Sequence, residues 1–269
     1  MKQFTLSRPT PGYLRAVFDR PPINLLDDDT ITELAEICDI LETDHDLRVL
    51  VLSAANPDFF MARYDISASS QNPADPFAGL TAFAQATARL SGSDVISIAA
   101  LRGRARGGGS EIALACDLRF ASLENCLLGQ PEVPSGLLPA GGGIERLTRL
   151  VGRARATEII VTGDDYDATT AERYGWINRA VPDDELDGFV DRLARRIASF
   201  DAVAVATAKR LIARGGGISE AELRETVSLL PSVAVASRER RARLSSRAAR
   251  VGSDFELRLG YHLGAIDED

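Results

Sequence analysis

The chain of 269 residues is long enough for one large domain, or one domain with a small helical appendage, and for its own apolar core. Hydrophobic residues make up 45% and charged residues 26%, an ordinary globular balance that needs no metal or disulfide staples. A formal net charge of -8 argues against general nucleic-acid binding, and the two histidines, His45 and His262, lie far apart without partner motifs for zinc or Ser-His-Asp chemistry.

Cys38, Cys116 and Cys126 have no metal-ligand spacing and read as buried thiols. The N-terminal stretch lacks a long apolar signal core, and no run approaches the ~18 apolar residues of a membrane span, so a cytoplasmic location is expected.

In chain order, residues 4–6 and 13–18 read as two strands around the turn signal Pro9-Thr10-Pro11-Gly12. Residues 21–26 read as an extended linker. Across 29–41, Ile31, Leu34, Ile37, Cys38 and Leu41 recur at helical spacing behind acidic residues. Residues 48–53 form a compact apolar strand, so strand, helix and strand predict a parallel sheet with a crossover helix. Residues 57–66 by themselves read as a polar loop with a buried Tyr64. Residues 71–77, polar with two prolines, predict a mobile loop. A helix follows over 77–90, with Leu80, Phe83, Ala84, Thr87 and Leu90 on one face.

Residues 95–101 are β-branched and apolar, a buried strand. The strand breaks at Gly103, passes through Arg104-Ala105-Arg106 and reaches Gly107, Gly108 and Gly109; Ser110 and Glu111 then open a short apolar helix to about residue 116. Glycines let backbone approach a ligand, and free N–H groups at a helix start suit an anion. The stretch therefore reads either as an oxyanion site with a carboxylate one turn away, or as a tight turn whose glycines only permit packing. Gly129-Gln130-Pro131-Glu132 follows a second apolar run, and Pro131 stiffens the connection that carries Glu132. Two glutamates on rigid turns beside an oxyanion site suit general acid–base chemistry. Alternation along an extended chain places Arg102, Arg104 and Arg106 on one side. They pair with neighbouring acidic groups, the reading favoured here, or meet phosphates or an acidic acyl group.

Residues 139–150 open a helix behind Gly141-Gly142-Gly143; the glycines resemble a phosphate loop, but the lysine of a nucleotide-binding loop is missing. Residues 154–162 and 168–174 read as helices around a turn at 164–167, the second ending at Gly175 as a C-cap. Residues 176–181 read as a short final strand. The pattern over 185–214 is helical, 215–217 is a flexible glycine break, and 219–250 is mostly helical with a strongly basic end.

The blocks GGGSEIALACDLRFAS, GQPEVPSGLLPAGGGIERLTRLVG and ATEIIVTGDDYDATTAERYGWINRAVP, in that order and spacing, are similar to the enoyl-CoA hydratase/isomerase (crotonase) superfamily over residues from about 8 to about 210. The resemblance implies an α/β, crotonase-like (ClpP/crotonase) fold of repeated ββα units: a spiral core over 1–200 and a C-terminal helical trimerisation region over 201–269. It implies backbone oxyanion donors at Tyr64 and Gly108, catalytic Glu111 and Glu132, and substrate-binding Ala62, Asp65, Ile66, Gly107, Pro131 and Gly141. Arg63-Tyr64 stands where the family usually has glycine and alanine, and the C-terminus lacks the family's usual basic CoA-touching segment.

The activity so implied is enoyl-CoA hydratase, reversible syn addition of water to a 2-enoyl-CoA thioester. Alternatives are a double-bond isomerase, a lyase acting on an unusual acyl-CoA, or a non-catalytic acyl-CoA-binding scaffold. No separate cofactor and no metal are implied, since coenzyme A belongs to the substrate. The expected partners are the acyl-CoA and further copies of the chain, as a trimer or dimer of trimers, without nucleic acid.

Overall fold

The computed structural model describes residues 1–65, 78–213, 220–236, 238–259 and 262. Ile66, the loop expected at 71–77 and the glycine break at 215–217 lie outside the described residues. Strands β1 (Phe4–Thr10) and β2 (Tyr13–Phe18) form an antiparallel hairpin. Helix α1 (Asp28–Thr43) then crosses to β3 (Val49–Ala54), which pairs in parallel with β2. Asp27 starts α1 with a capping box: its carboxylate accepts the Thr30 N–H at 2.9 Å while the Thr30 hydroxyl oxygen accepts the Asp27 N–H.

From β3 onward the chain repeats one pattern. A strand enters a six-stranded sheet, a short strand enters a second, four-stranded sheet, and a helix follows. The units are β3 with β4 (Phe59–Met61) and α2 (Ala78–Gly92), then β5 (Ile96–Leu101) with β6 (Arg104–Arg106) and α3 (Gly108–Ala115), then β7 (Leu118–Ser122) with β8 (Leu127–Gly129) and α4 (Gly143–Val151). With β9 (Tyr166–Asp167) and β10 (Arg179–Val181), the sheet orders are β1-β2-β3-β5-β7-β10 and β4-β6-β8-β9. The predicted α/β architecture of ββα units is present.

The parallel strands explain the apolar runs, because both sheet faces are covered. Leu50 and Leu52 point into the main core with Leu14, Phe18 and Leu101. Val49 and Val51 point the other way, with Ile98 and Phe120, against Leu186 and Val190 of α7 (Asp183–Ala198). The remaining helices are α5 (Arg153–Thr162), α6 (Ala168–Tyr174), α8 (Ala202–Ala213), α9 (Glu220–Ala236), α10 (Arg238–Val251) and α11 (Ser253–Leu257). No described helix is long and apolar enough to cross a membrane.

Four local expectations change. The helical pattern over 185–214 is two helices, because the Asp201 carboxylate accepts the Ala204 N–H at 2.9 Å and caps a new start. The 21–26 linker is a turn, not an extended run: buried Asn24 has φ of 54° and donates its side-chain amide to Phe59 O at 2.9 Å. Residues 57–66 include the buried strand β4, whose Phe59, Phe60 and Met61 are apolar enough to join a sheet. Arg102, Arg104 and Arg106 do not share one side, because Gly103 at φ of 71° separates β5 from β6 and breaks the alternation.

Candidate active site

The site forms where the short sheet ends. β6 and β8 run in parallel and pair Arg106 with Gly129, and the Gly107 N–H extends the ladder to Gly129 O at 3.0 Å. The turn into α3 and the Gln130-Pro131-Glu132 segment therefore leave the sheet side by side. This places Glu111, one helical turn into α3, against Glu132. Gly107 has φ of 49°, and a Cβ on it would stand 2.9 Å from Glu132 Oε1. Both the backbone angle and the occupied space require glycine there.

Two backbone amides face the same region. The first intrahelical bond of α3 runs from the Glu111 N–H to Gly107 O at 2.9 Å, so the Gly108 N–H precedes any intrahelical acceptor. Leu26 and Tyr64 form a parallel bridge in which Arg63 O accepts the Leu26 N–H at 2.8 Å and Leu26 O accepts the Asp65 N–H at 2.7 Å. Successive amides of an extended segment point to opposite sides, so the Tyr64 N–H points away from Leu26. The pocket beside these amides is lined by Tyr64, Gly107, Gly108, Glu111, Pro131 and Glu132, and by an apolar wall that includes Leu80, Phe83, Leu137 and Leu230. The Tyr64 side chain turns aside: its ring packs at 5.9 Å from that of Phe83, and its hydroxyl donates to Asp28.

The two carboxyls differ in their surroundings. Glu111 is buried, and its Oε1 accepts the N–H of Gly141 at 2.7 Å and of Gly143 at 2.9 Å. Burial pushes its pKa up to about 7, opposed by these amides and by the Arg146 guanidinium. Glu132 is half-buried on the pocket wall. The protein packed around it and then the charge of Glu111 push it well above the usual carboxylate range. The Gln130 amide, oriented to satisfy both of its ends, donates to Glu132 Oε2 at 3.0 Å and accepts from Ser110 Oγ at 3.2 Å. Like charges this close do not both ionise readily, so the pair retains a proton. Two amides and a guanidinium favour the anion at Glu111, which leaves the proton on Glu132.

The structure thus brings together Tyr64, Gly108, Glu111, Glu132, Gly107 and Pro131. Three other sequence candidates stand apart from the pocket lining. Ala62 is buried, with its N–H donated to Asn24 O at 3.0 Å; Asp65 is tied to Leu26; and Gly141 holds Glu111. Ile66 lies outside the described residues. The family resemblance implies that helices near 77–90 line the acyl end, and the structure identifies Leu80 and Phe83, on the predicted helical face, as the side chains that do so. Arg102 pairs with Asp183 at 2.8 Å and Arg106 with Asp165, as the favoured pairing reading expects. Arg104 lies over the Phe59 ring at 5.5 Å. Among the described residues no cluster of His, Cys, Asp and Glu is arranged to hold a metal ion.

The family model for enoyl-CoA hydratase/isomerase matches residues 13–228. A short-chain-enoyl-CoA hydratase of Clostridium acetobutylicum is 36% identical over 194 residues, 72% of this chain and 74% of that protein. A carnitinyl-CoA dehydratase of Proteus mirabilis is 34% identical over 201 residues, 74% of this chain and 76% of that one. A Streptomyces avermitilis crystal structure, provisionally assigned as an enoyl-CoA hydratase, superposes with a TM-score of 0.90 at 38% identity, covering 98% of this chain and 96% of the other.

Proposed function

The chain belongs to the enoyl-CoA hydratase/isomerase family, and from that premise we propose that it adds water reversibly across the double bond of a 2-enoyl-CoA thioester. The observation that carries this reading is the pair of neighbouring glutamates with opposed environments, set beside two backbone amides. The relatives named a hydratase and a dehydratase support it, as those names describe one reaction run in two directions.

In this reading the thioester oxygen lies on the N–H groups of Tyr64 and Gly108. Their hydrogen bonds strengthen as negative charge moves onto that oxygen; one such donor is worth about 10²–10³ in rate in other enzymes. Ionised Glu111 takes a proton from water as the water oxygen bonds to C3. The C2–C3 π electrons pass to the thioester enolate, and protonated Glu132 gives its proton to C2. Both glutamates serve one face, so addition is syn. One O–H bond and one carboxyl O–H bond break, one C–O and one C–H bond form, and the two glutamates have exchanged protonation states. A proton passed back between them resets the site.

Substrate contacts by Gly107, Pro131, Ala62, Asp65, Ile66 and Gly141 belong to the same reading. The chain needs no separate cofactor, because coenzyme A enters as part of the substrate, and a cytoplasmic location suits it. The exposed Val203, Leu211 and Ile212 of α8 and Leu229 and Val235 of α9 support a helical C-terminal region, over 201–269, that packs between copies in a trimer or dimer of trimers.

The test is loss of conjugated-thioester absorbance on adding the protein to crotonyl-CoA and longer 2-enoyl-CoAs. Glutamate-dependent loss is expected. Acyl-CoA binding without absorbance loss would sink hydration in favour of isomerase or lyase chemistry.

A further inference from the structure

The two oxyanion donors of the proposed hydratase follow different strands, Tyr64 after β4 and Gly108 after β6. Their ladder, between β4 and β6, ends at Met61 and Ala105, short of both Tyr64 and Gly108. Beyond it, two arginines converge on one distant residue. Arg63, immediately before Tyr64, donates Nε and Nη2 to Glu256 Oε1 at 3.0 and 2.7 Å. Arg106, two residues before Gly108, is buried and donates Nη1 to the Glu256 carbonyl at 2.5 Å, while Nε and Nη2 grip the two oxygens of Asp165. Glu256 belongs to α11, nearly two hundred residues from Arg63 in sequence. Phe255 seats this helix in a small apolar cluster with Leu244 and Leu259. Glu256 is buried, and its Oε2 has no hydrogen-bond partner among the described residues, so the interaction of this carboxylate is concentrated on Arg63.

Arg63 is close to the acid of the site. The Cβ position of Gly107 lies 3.7 Å from Arg63 Cβ and 2.9 Å from Glu132 Oε1. An arginine side chain spans that separation easily, so a guanidinium left without Glu256 comes within reach of the Glu132 carboxyl. We infer that Glu256 is a positioning residue: it fixes the two oxyanion arms relative to each other and holds the Arg63 guanidinium off Glu132, which thereby keeps the proton it delivers to C2. This rests on the hydratase reading. Among the described residues, the charged groups around the pair are Glu111 on α3, Arg146 and Glu145 of α4 acting on Glu111, Arg63 after β4, the Arg106–Asp165 pair beside Gly129, Glu256 of α11, and Asp28 of α1 and Asp65 beside Tyr64. Among these, Arg63 is the cation that reaches Glu132 by changing partner within its own rotamers; Arg106 and Arg146 are buried and held by several acceptors.

The test compares wild type, Glu256→Ala and the double variant Glu256→Ala/Arg63→Ala. For Glu256→Ala, kcat falls about ten-fold with KM within about two-fold, because the donors act in the transition state. The alkaline limb of its pH–rate profile moves about one unit toward acid, because freed Arg63 favours ionised Glu132. In the double variant that limb returns toward its wild-type position while kcat stays low. An unmoved limb in Glu256→Ala overturns the inference, and so does a limb that stays displaced after Arg63 is removed. If Glu256→Ala does not fold, Glu256→Gln, which keeps an acceptor oxygen but loses the charge, shifts the limb in the same direction, and no shift overturns the inference.

Melting temperatures from pH about 6 to about 9 read the same change without turnover. The decline with rising pH is shallower in Glu256→Ala than in the double variant. Coincident slopes overturn the inference, whereas wild-type protein that hydrates no enoyl-CoA overturns the hydratase reading and leaves this comparison standing.

Discussion

Glu111 Oε1 accepts the backbone N–H of Gly141 at 2.7 Å, and the same oxygen takes the N–H of Gly143, the first residue of α4, at 2.9 Å. A glycine-rich helix start of the kind that receives phosphate here receives an internal carboxylate. The orphan amides of α4 and a buried charge on α3 thus satisfy each other, and Glu111 is held in one orientation toward the pocket.

Replacing Glu111 by glutamine keeps a carbonyl oxygen for the Gly141 and Gly143 amides, so the fold is expected to persist while the base is lost. Glu132→Gln likewise keeps the shape and removes the acid. Each is expected to lower kcat about 10²–10⁴-fold, the usual contribution of a general acid or base. Steady-state kinetics with crotonyl-CoA, alongside circular dichroism, checks this; normal turnover in both variants would remove the glutamates from the mechanism.

The pH profile follows from the two environments. Activity requires Glu111 ionised and Glu132 protonated, so kcat/KM rises as Glu111 loses its proton, near pH 7, and falls at higher pH as Glu132 loses its own. The two apparent values belong to the pair. Glu132→Gln should erase the alkaline limb in its residual activity and leave the acid limb, which a pH series on both proteins resolves.

Gly107→Ala tests the packing that joins turn and acid. Its Cβ would meet Glu132 Oε1 at 2.9 Å, in a backbone with φ of 49° that side chains rarely adopt. A loss of about 1–3 kcal/mol in stability is expected from the strained backbone, together with a fall in kcat larger than the change in KM. Denaturant unfolding and kinetics measure the two separately. A stable, fully active variant would show that Glu132 is not held against this turn.

Asp165 is the carboxylate that balances Arg106, whose side chain is 1% exposed. Asp165→Asn leaves the guanidinium buried beside an amide, and breaking a buried pair from one side costs about 3–5 kcal/mol. Chemical denaturation of the two proteins decides it; a loss below about 1 kcal/mol would mean that the pair is effectively solvated.

Periodicity made the large sheet legible. Residues 13–18, 48–53 and 95–101 carry the apolar runs of strands covered on both faces, and they lie adjacent in that sheet. The second sheet left almost no signal, because β4, β6 and β8 are three residues each, too short to show a period. The glutamates and the glycine turn were visible through their motifs. What holds them is not: in sequence the glycines whose amides grip Glu111 only resemble a phosphate loop that lacks its lysine. Pairing of Arg63 with Glu256 spans so much sequence that only the fold brings the two together.

The burial that tunes Glu111 also sets how stability depends on pH. Its folded pKa, about 7, lies above the ordinary 4.5. Between those values the unfolded chain has released the proton that the folded chain keeps. The contribution of Glu111 to stability therefore falls as pH rises through this window and levels off above it. Glu111→Gln carries no such proton, so its stability relative to wild type should climb from pH about 4.5 to about 7. Thermal unfolding of both proteins across that range measures the difference. Parallel curves would mean that the Glu111 carboxyl titrates as an ordinary exposed one, and the division of roles between the two glutamates would fall with it.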